Sequence, residues 1–435
     1  MTNIDEIDLS SYDPMDRDIQ QCPFNHYAAL REHGPLFYHE QTKTYIASRM
    51  DIVNQIVRDT ETFSSERSNA KVPTDDIETQ AEIDAILSKG WPRTETMLTI
   101  DPPYQTRYRK LVSRTFSARK IGSYEEKIRE IAIDLIEKFP TKGTINFDTS
   151  FATPLPVKVI HYALNMSPEV ENKVKWWSDA NNYDLGANPS REMRIEKAES
   201  IVDCQKYWFS EYEDRLINPQ DDILSDLALA DFNDPDLPDG QTRKLYFPEV
   251  YGIIRQLMVA GNETTTKFLN ETMRLLIENP RWWEQLERNP DEIVYGIVEE
   301  GLRASSPTQG LFRTVTKDVN IEGMLIPKGS RVWVVFAAAN RDDREFPSPD
   351  QFLPDRDNVN KHLAFGKGHH FCIGAPLSRL EGKVALEELG KRINLPSFNA
   401  KNTFEYEPSY VLRGLASLHL DIEKKNKKNL SQADF

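Results

Sequence analysis

The stretch from Phe247 to Asn279 restricts the fold more than any other part of the chain. Apolar residues recur along it at helical spacing, Pro248 stands at its start, and Pro280 follows its end. Proline is tolerated in the first turn of a helix and prevents a preceding helix from continuing, so the two prolines mark its ends. At 1.5 Å per residue the helix would be about 45 to 50 Å long. We therefore expect a large, mostly helical body that this helix crosses.

Short β segments interrupt the helical patterns. Residues 36–48 predict a strand pair, followed by a helix near residues 52–58. Residues 319–325 and 331–336 predict two further strands, joined across a turn at Pro327-Lys328-Gly329. The strands are few and short, so they predict small sheets beside the helices.

The chain is expected to form one domain over its 435 residues, mainly α with small β-sheets (α+β). Helical spacing dominates from Thr106 to about Leu395, and neither an internal repeat nor a Gly/Ser linker divides it. Residues 1–20 are interpreted as an acidic N-terminal segment. Residues 423–435, rich in lysine and asparagine, are expected to be a disordered tail.

Composition and charge exclude several classes of function. A net charge of -15 disfavours nucleic acid as a partner, because binding phosphates requires a basic surface. Residues 1–16 lack the basic start and apolar core of a signal peptide, and the longest apolar run, 332–339, is too short to span a bilayer. Cys22, Cys204 and Cys372 form no CxxC pair, which argues against a disulfide framework or a cysteine-rich zinc site. We expect a cytoplasmic protein without a membrane anchor.

Cys372 lies in a glycine-containing loop directly before a predicted helix. The loop runs from Phe365 to Gly374, and residues 375–392 have helical spacing with Pro376 in the first turn. Backbone N–H groups at the start of a helix stabilise a thiolate, and glycine lets the backbone approach sulfur closely. A lone cysteine in such a turn is more often structural, so the surrounding pattern decides between the two interpretations.

This loop resembles the haem-binding signature of the bacterial, soluble cytochrome P-450 family. In that signature a phenylalanine is followed by glycine three residues later, by cysteine four residues after that, and by glycine two residues further on; all four positions match here. The resemblance implies a triangular helical body that encloses haem b, with Cys372 as the axial ligand of the iron. It also implies that Phe365 packs against the sulfur side of the haem and that His370 hydrogen-bonds a propionate.

The middle of the long helix contains Ala260-Gly261-Asn262-Glu263-Thr264-Thr265. Glycine costs about 1 kcal/mol of helix propensity, and threonine hydroxyls compete for backbone carbonyls, so a local kink or widened groove is expected. A small-residue contact between packed helices is the alternative. The segment resembles the oxygen-binding motif of the same family. That resemblance implies that Ala260 and Gly261 lie beside the haem, that Thr264 hydrogen-bonds the oxygen being activated, and that Glu263 helps to relay protons.

Glu300 and Arg303 resemble the family's ExxR motif. They are three residues apart on a predicted helix whose apolar positions share the face of Glu300, so the ion pair should be at least partly buried. The family completes the pair with a later arginine, best matched here by Arg356. The resemblance implies that these three residues support the folded structure on the side of the cysteine loop.

Three further residues match positions that hold the haem propionates in the family. Arg109 lies in the predicted helix after Asp101-Pro102-Pro103, and Arg313 follows Arg303 by ten residues. Gln105 stands where many relatives carry histidine; an amide can also donate to a carboxylate.

Electrons are expected to come from separate proteins, because the chain contains no flavin-binding loop and no ferredoxin-type cysteine cluster. A ferredoxin with its reductase, or a flavodoxin-type donor, is the expected partner. Basic side chains around the cysteine loop and on the helix after Pro103 could steer an acidic donor, or could simply be solvated. They are Lys361, Lys367, Arg379, Arg107, Lys110 and Arg114.

The substrate is the least constrained part of the prediction. Two segments that differ most from the family, residues 69–96 and 179–193, match the loops that cover the substrate. The expected pocket residues are Gln256, Val259, Leu98, Leu311, Asn182 and Tyr183. A polar Gln256 favours a polar, methoxylated sugar or aromatic, which would be hydroxylated or O-demethylated with release of formaldehyde. If Gln256 bonds the protein instead, a terpene, fatty acid or macrolide fits equally well.

A haem-based sensor or ligand carrier could share the thiolate, but it would not require the pair Glu263 and Thr264. A peroxide-driven hydroxylase would commonly replace that pair. The sequence therefore favours a monooxygenase that takes O2 and electrons from a partner.

Overall fold

The computed structural model describes residues 7–66, 77–113, 116–182 and 189–426. About 53% of the chain is helical and the strands form small sheets, which confirms the predicted class. The helices before the long central one are α1 Arg17–Gln21, α2 Phe24–His33, α3 Met50–Arg58, α4 Ile77–Leu87, α5 Tyr104–Val112, α6 Ala118–Gly122, α7 Glu125–Glu137, α8 Pro154–Ala163, α9 Glu171–Asn182, α10 Arg191–Ile217 and α11 Ile223–Leu229. The remaining helices are α12 Phe247–Glu278, α13 Pro280–Arg288, α14 Pro290–Ser305, α15 Phe336–Ala339 and α16 Ala375–Arg392.

Helix α12 is the predicted long helix, and it begins and ends within one residue of the predicted bounds. Pro248 lies in its first turn, and Pro280 begins α13 directly after Asn279. Its apolar face packs in the largest buried cluster, and α12 contacts α8, α9, α14 and α16. The helix therefore connects the elements that carry the predicted site residues.

The strands form three sheets. The bounds are β1 Phe37–His39, β2 Thr44–Ala47, β3 Phe63–Ser64, β4 Lys142–Asn146, β5 Leu311–Val315, β6 Val319–Ile321, β7 Met324–Ile326, β8 Arg331–Val334, β9 Ser397–Phe398 and β10 His419–Glu423. The strand orders are β1-β2-β8-β5-β3, β4-β10-β9 and β6-β7. The predicted pair at residues 36–48 is confirmed as β1 and β2, which are antiparallel.

The prediction for residues 319–325 was wrong in detail. This segment is not one strand but most of a hairpin, in which β6 pairs with β7 across a turn at Glu322 and Gly323. Both turn residues have positive φ, 48° and 92°, a geometry that the prediction did not assign to this dipeptide. Strand β8 pairs instead with β2 in parallel and with β5 in antiparallel orientation.

The predicted tail begins later than expected. Glu423 ends β10 and is paired with Lys142, and Lys424 forms a β-bridge with Ile393. Residues 427–435 lie outside the described part of the chain. Pairing with β4 and with Ile393 therefore orders the first part of this segment.

The segments expected to cover the substrate are partly helical. Helix α4 occupies residues 77–87, and α9 and α10 reach into the second segment from both sides. Residues 67–76 and 183–188 lie outside the described residues. In the residues that the structure describes, no helix is both long and apolar enough to cross a membrane.

Candidate active site

The cysteine loop is held in place by its own backbone. The N–H of Cys372 donates to the carbonyl of Phe365 at 2.9 Å, which closes the loop. Gly368 has φ +72°, and a Cβ there would lie 2.8 Å from the carbonyl oxygen of Val57, so a larger residue would strain the loop. Helix α16 then begins at Ala375, as predicted. Cys372 therefore stands immediately before the N-terminus of a long helix.

The sulfur of Cys372 faces hydrogen-bond donors and positive charge. The backbone N–H groups of Gly374 and Ala375 donate to it, and the guanidinium of Arg109 lies close by. Burial raises the pKa of the Cys372 thiol, and the N–H of Gly374 and the charge of Arg109 oppose that effect. Phe365 lies beside the loop, with the guanidinium of Arg379 over its ring at 4.7 Å. This environment suits a thiolate that binds a metal cation.

A polar cluster near His370 brings together residues from three parts of the chain. Asp101 accepts hydrogen bonds from Ser64 Oγ and, at 2.9 Å, from the backbone of Ser65. His370 Nε2 lies 3.0 Å from Ser65 Oγ and 3.8 Å from Asp101 Oδ1. Burial lowers the pKa of His370, and Asp101 acts in the opposite direction. Asp101 and the two serines were not among the predicted site residues.

Arg313 is a buried cation without an ion-pair partner among the described residues. Its Nη1 donates to the carbonyl of the preceding residue, Phe312, at 2.7 Å. Burial lowers the pKa of Arg313 to about 10, and nearby Asp101 opposes that shift. A buried guanidinium is costly unless an anion compensates it. Arg313 therefore requires an anionic group that the described protein residues do not supply.

Gln105 and Arg109 both reach the backbone of the cysteine loop. Gln105, which is buried, donates from Nε2 to the carbonyl of His369 at 2.7 Å. Arg109 Nη1 approaches the same carbonyl at 3.5 Å. Their shared contact connects α5 to the loop that carries Cys372.

Thr264 and Ala260 form an internal hydrogen bond on α12. Thr264 Oγ1 donates to the Ala260 carbonyl at 2.7 Å, which is the predicted competition for a backbone acceptor. The helix continues through this segment without interruption. Ala260 is exposed, and Gly261 and Thr264 are partly so, although most residues from Phe247 to Ile254 and from Lys267 to Met273 are buried. These small residues thus leave accessible surface in the middle of the helix.

Glu263 belongs to a buried group of charges between α9 and α12. Its Oε2 lies 3.0 Å from Lys267 Nζ, and its carboxyl group hydrogen-bonds that of Asp179. Asp179 Oδ2 also lies 2.6 Å from Lys175 Nζ. Burial and the contact with Glu263 raise the pKa of Asp179 to about 7. Burial alone would raise the pKa of Glu263. The charge of Lys267 is the main effect that opposes burial, and the pKa of Glu263 lies below its ordinary value.

One hydrogen bond ties the two predicted halves of the site together. Thr265, next to Thr264, has its Oγ1 3.3 Å from Oγ of Ser378. Ser378 lies in the first turns of α16, six residues after Cys372. The segment of α12 that carries the acid and the alcohol is therefore joined to the helix that follows the cysteine loop.

Glu300 and Arg303 form an ion pair at 2.7 Å in which both side chains are fully buried. Arg356 Nε donates to Glu300 Oε1 at 3.0 Å, so the three predicted residues are in contact. A second buried group lies nearby and was not predicted: Glu299 accepts from Arg379 at 2.6 Å and lies 3.2 Å from His362 Nε2.

The predicted pocket residues have different surroundings. Gln256 Oε1 accepts from the backbone N–H of Leu98 at 3.2 Å, so its acceptor side is bound to the protein. Leu98 itself is 42% exposed, and Val259 and Leu311 are partly buried. Asn182 ends α9, but its side chain lies outside the described residues, as does all of Tyr183.

These residues fit a haem. Cys372 offers a sulfur with two amide donors, and Arg313 offers a buried cation that lacks an anion. Iron takes a thiolate ligand, and a propionate would compensate the guanidinium. Ala260 and Gly261 present a flat, accessible part of α12. Cys372 thus suits the iron of the cofactor, and Arg313 suits one of its carboxylates.

Comparison with known proteins gives the same result. A family model described as Cytochrome P450 matches residues 192–395. Cytochrome P450 109 of Bacillus spizizenii is 32% identical over 370 residues, covering 84% of this chain and 83% of that protein. The 6-deoxyerythronolide B hydroxylase of Saccharopolyspora erythraea is 34% identical over 329 residues, covering 75% of this chain and 78% of the relative. The structure of Cytochrome P450 CYP109Q5 from Chondromyces apiculatus superimposes with a TM-score of 0.82 at 29% identity, covering 95% and 98% of the two chains.

Proposed function

We propose that this chain, which belongs to the cytochrome P450 family and is a haem b-dependent monooxygenase, oxidises a small molecule. Its electrons would come from a separate ferredoxin or flavodoxin-type donor. The observation that carries the proposal is the hydrogen bond between Thr265 and Ser378, because it joins the segment of α12 that carries Glu263 and Thr264 to α16, the helix that follows the loop of Cys372. An acid and an alcohol beside a metal-binding thiol support oxygen activation, which a sensor or ligand carrier would not require.

The residues that would hold haem b are Cys372 at the iron and the cations Arg313 and Arg109 at its edge. When bound, the haem supplies the redox chemistry that activates O2. Phe365 and Arg379 shield the sulfur side, while His370 is oriented by Ser65 and Asp101. Glu300, Arg303 and Arg356 support this side of the fold.

Glu263 and Asp179 would hold the protons that the reaction consumes. Two carboxyl groups in contact share one proton more readily than both ionise. Because the pKa of Asp179 is raised to about 7 while that of Glu263 is lowered, the pair retains a proton on Asp179 near neutral pH. Thr264 Oγ1, one residue away, can accept and donate a proton at the accessible face of α12.

The donor would dock against the cysteine loop. Arg379 keeps 32% of its side chain exposed there. Lys361 is paired with Glu345 at 2.9 Å, and Arg107 donates to Asn233, so these two cations are partly compensated. Arg114 lies outside the described residues. Arg379 is likewise paired with Glu299 at 2.6 Å, so Lys367 and Lys110, which form no ion pair with the described residues, provide the positive charge that an acidic donor would meet.

The substrate would meet Leu98, Val259 and Gln256. Gln256 keeps its amide N–H groups as donors although its oxygen is bound by Leu98. Because Gln256 bonds the protein through its oxygen, polar and apolar substrates fit this pocket equally well. Hydroxylation of a carbon next to an ether oxygen gives a hemiacetal that breaks down, so a methoxylated sugar or aromatic would be O-demethylated with release of formaldehyde. A terpene, a fatty acid or a macrolide would be hydroxylated.

The test is turnover with a reconstituted ferredoxin and reductase on a panel of these compounds. Thr264→Ala should lower the product formed per electron consumed, because the alcohol no longer serves the oxygen. The matched control is Thr266→Ala on the same helix, whose hydroxyl bonds the carbonyl of Ala152. Formaldehyde only from methoxylated compounds selects demethylation. If no compound increases electron consumption or yields product, the monooxygenase assignment fails.

A further inference from the structure

We infer that Arg255, on the distal helix α12, forms a binding site for an oxyanion group of the substrate, a carboxylate or a phosphate. The inference rests on the proposed monooxygenase function and names the class of molecule that this function would act on. Three observations carry it: the contacts of Arg255, its place beside the predicted pocket, and the charges around it.

Arg255 has few partners for a guanidinium that is partly buried beside α9. Its Nη1 donates to Oδ1 of Asn181 at 3.2 Å, although a guanidinium has five N–H donors. Neither a carboxylate within 4 Å nor a stacked ring accompanies Arg255 in residues 7–66, 77–113, 116–182 and 189–426. Burial lowers the pKa of Arg255. A cation in this setting is stabilised when an anion binds to it.

Other buried arginines show what such a side chain normally has. Arg303 and Arg215 pair with the carboxylates of Glu300 and Asp222 at 2.7 and 2.9 Å. Arg331 lies over the ring of Phe312 at 3.6 Å. Arg255 shares with Arg313 the lack of both kinds of partner. If Arg313 binds a propionate of the cofactor, Arg255 is a partly buried guanidinium that can bind another anion.

The position of Arg255 places it next to the predicted pocket. It precedes Gln256, which bonds Leu98, and it lies four residues before Val259 on the same face of α12. Thr264 follows nine residues later, about two and a half turns and 13 Å further along the helix axis, so it starts from the opposite face of α12. A substrate anchored by an oxyanion at Arg255 must therefore be long enough to pass around the side of α12 if its other end is to reach Thr264.

The surrounding charges favour an anion. Lys197 Nζ donates to the backbone carbonyl of Asn181 at 3.1 Å, so a second cationic side chain contacts the residue that Arg255 contacts. Arg93 adds positive charge and Glu95 adds negative charge near Arg255. Glu95 is already paired with Arg93 at 2.9 Å and also accepts from Thr99. The negative charge of Glu95 is thus largely neutralised within its own loop.

Calorimetric titration of the haem-loaded protein tests the site. The probes are unbranched carboxylic acids of six to twelve carbons and phenylalkanoic acids, each compared with its primary amide, together with the matching alkyl phosphates. We expect at least one acid or phosphate to bind about tenfold more tightly than its neutral counterpart. That preference should disappear in Arg255→Gln and fall in Arg255→Lys, which keeps the charge but loses the planar fork. Preference for carboxylate over phosphate, or the reverse, identifies the oxyanion.

The control is Arg288→Gln, which removes a cation that is 70% exposed and should change neither affinity. Equal binding of acids and amides throughout the panel would overturn the inference, as would a preference for acids that Arg255→Gln retains. Turnover separates this result from the proposed function. If an acid binds through Arg255 but is never oxidised, the proposed function is contradicted and the binding site is supported. If compounds are oxidised without any preference for acids, only the binding site is contradicted.

Discussion

Replacing Arg303 by methionine should destabilise the fold by removing a fully bonded buried cation. Its guanidinium donates twice to Glu300, at 2.7 and 2.8 Å, and three times to backbone carbonyls. Those carbonyls belong to Asn340, Pro349 and Gln351, at 2.8, 2.8 and 3.2 Å. Methionine has a similar volume but satisfies none of these acceptors. The variant therefore leaves a carboxylate and three carbonyls short of a donor.

The expected loss is about 3 to 5 kcal/mol, the usual cost of removing one partner of a buried ion pair. Glu300 keeps the donors of Arg356 and of the Leu353 backbone, at 3.0 and 2.9 Å, which places the loss near the lower limit. A domain is stable by only about 5 to 15 kcal/mol, so even this loss removes much of the total.

Urea unfolding of the haem-loaded protein, followed by tryptophan fluorescence, measures the effect. The matched control is Arg288→Met, whose ion pair with Glu284 is exposed and long at 3.6 Å, and which should change the free energy of unfolding by less than about 0.5 kcal/mol. A loss below about 1 kcal/mol for Arg303→Met would refute the claim that this network supports the fold.

Three further substitutions test the site. In the wild type, the product formed per electron should fall as the pH rises through about 7, because Asp179 loses its proton. Asp179→Asn cannot release a proton, so a pH profile from 5.5 to 9 should be flatter for this variant. An unchanged profile would remove Asp179 from the proton supply. Arg313→Met should lose haem to an acceptor protein about tenfold faster, because it removes a charge-assisted hydrogen bond to a propionate, and an unchanged rate would contradict that contact. Gly368→Ala should lower the free energy of unfolding of the haem-loaded protein by about 1 to 3 kcal/mol, because a φ of +72° strains any residue with a Cβ. Urea unfolding measures this loss, and a midpoint equal to that of the wild type would show that the loop adapts.

Local signals predicted the elements that surround the site. Prolines near both ends of α12 limit that helix whatever packs against it, and the loop of Cys372 leads directly into α16. Helical spacing also placed Glu300 and Arg303 on one face. These predictions depend on residues close together in the chain, which is why the sequence alone was sufficient.

Contacts between distant segments were missed. Asp179 meets Glu263 only because α9 contacts α12, and Asp101 meets His370 only because the loop before α5 and the cysteine loop converge. Nothing near Asp179 in the sequence marks it as a buried acid. The sequence was compatible with a Gln256 side chain that faces the substrate and with one that bonds the protein. In the folded chain its oxygen accepts from the backbone N–H of Leu98.

Arg255 carried no local signal either. A single arginine among apolar residues on a helix is usually paired, and its partner is visible only when the elements are assembled. Here the assembled elements supply the neutral amide of Asn181 and no carboxylate among the described residues.

The central claim is that Cys372 binds the haem iron as a thiolate. The absorption spectrum of the reduced, carbon monoxide-bound protein tests it directly, because a thiolate opposite carbon monoxide shifts the Soret band to longer wavelength. The account predicts this shifted band in the wild type and its loss in Cys372→Ser, with the fold retained. A histidine-type band that the substitution leaves unchanged would remove Cys372 from the iron and contradict the account.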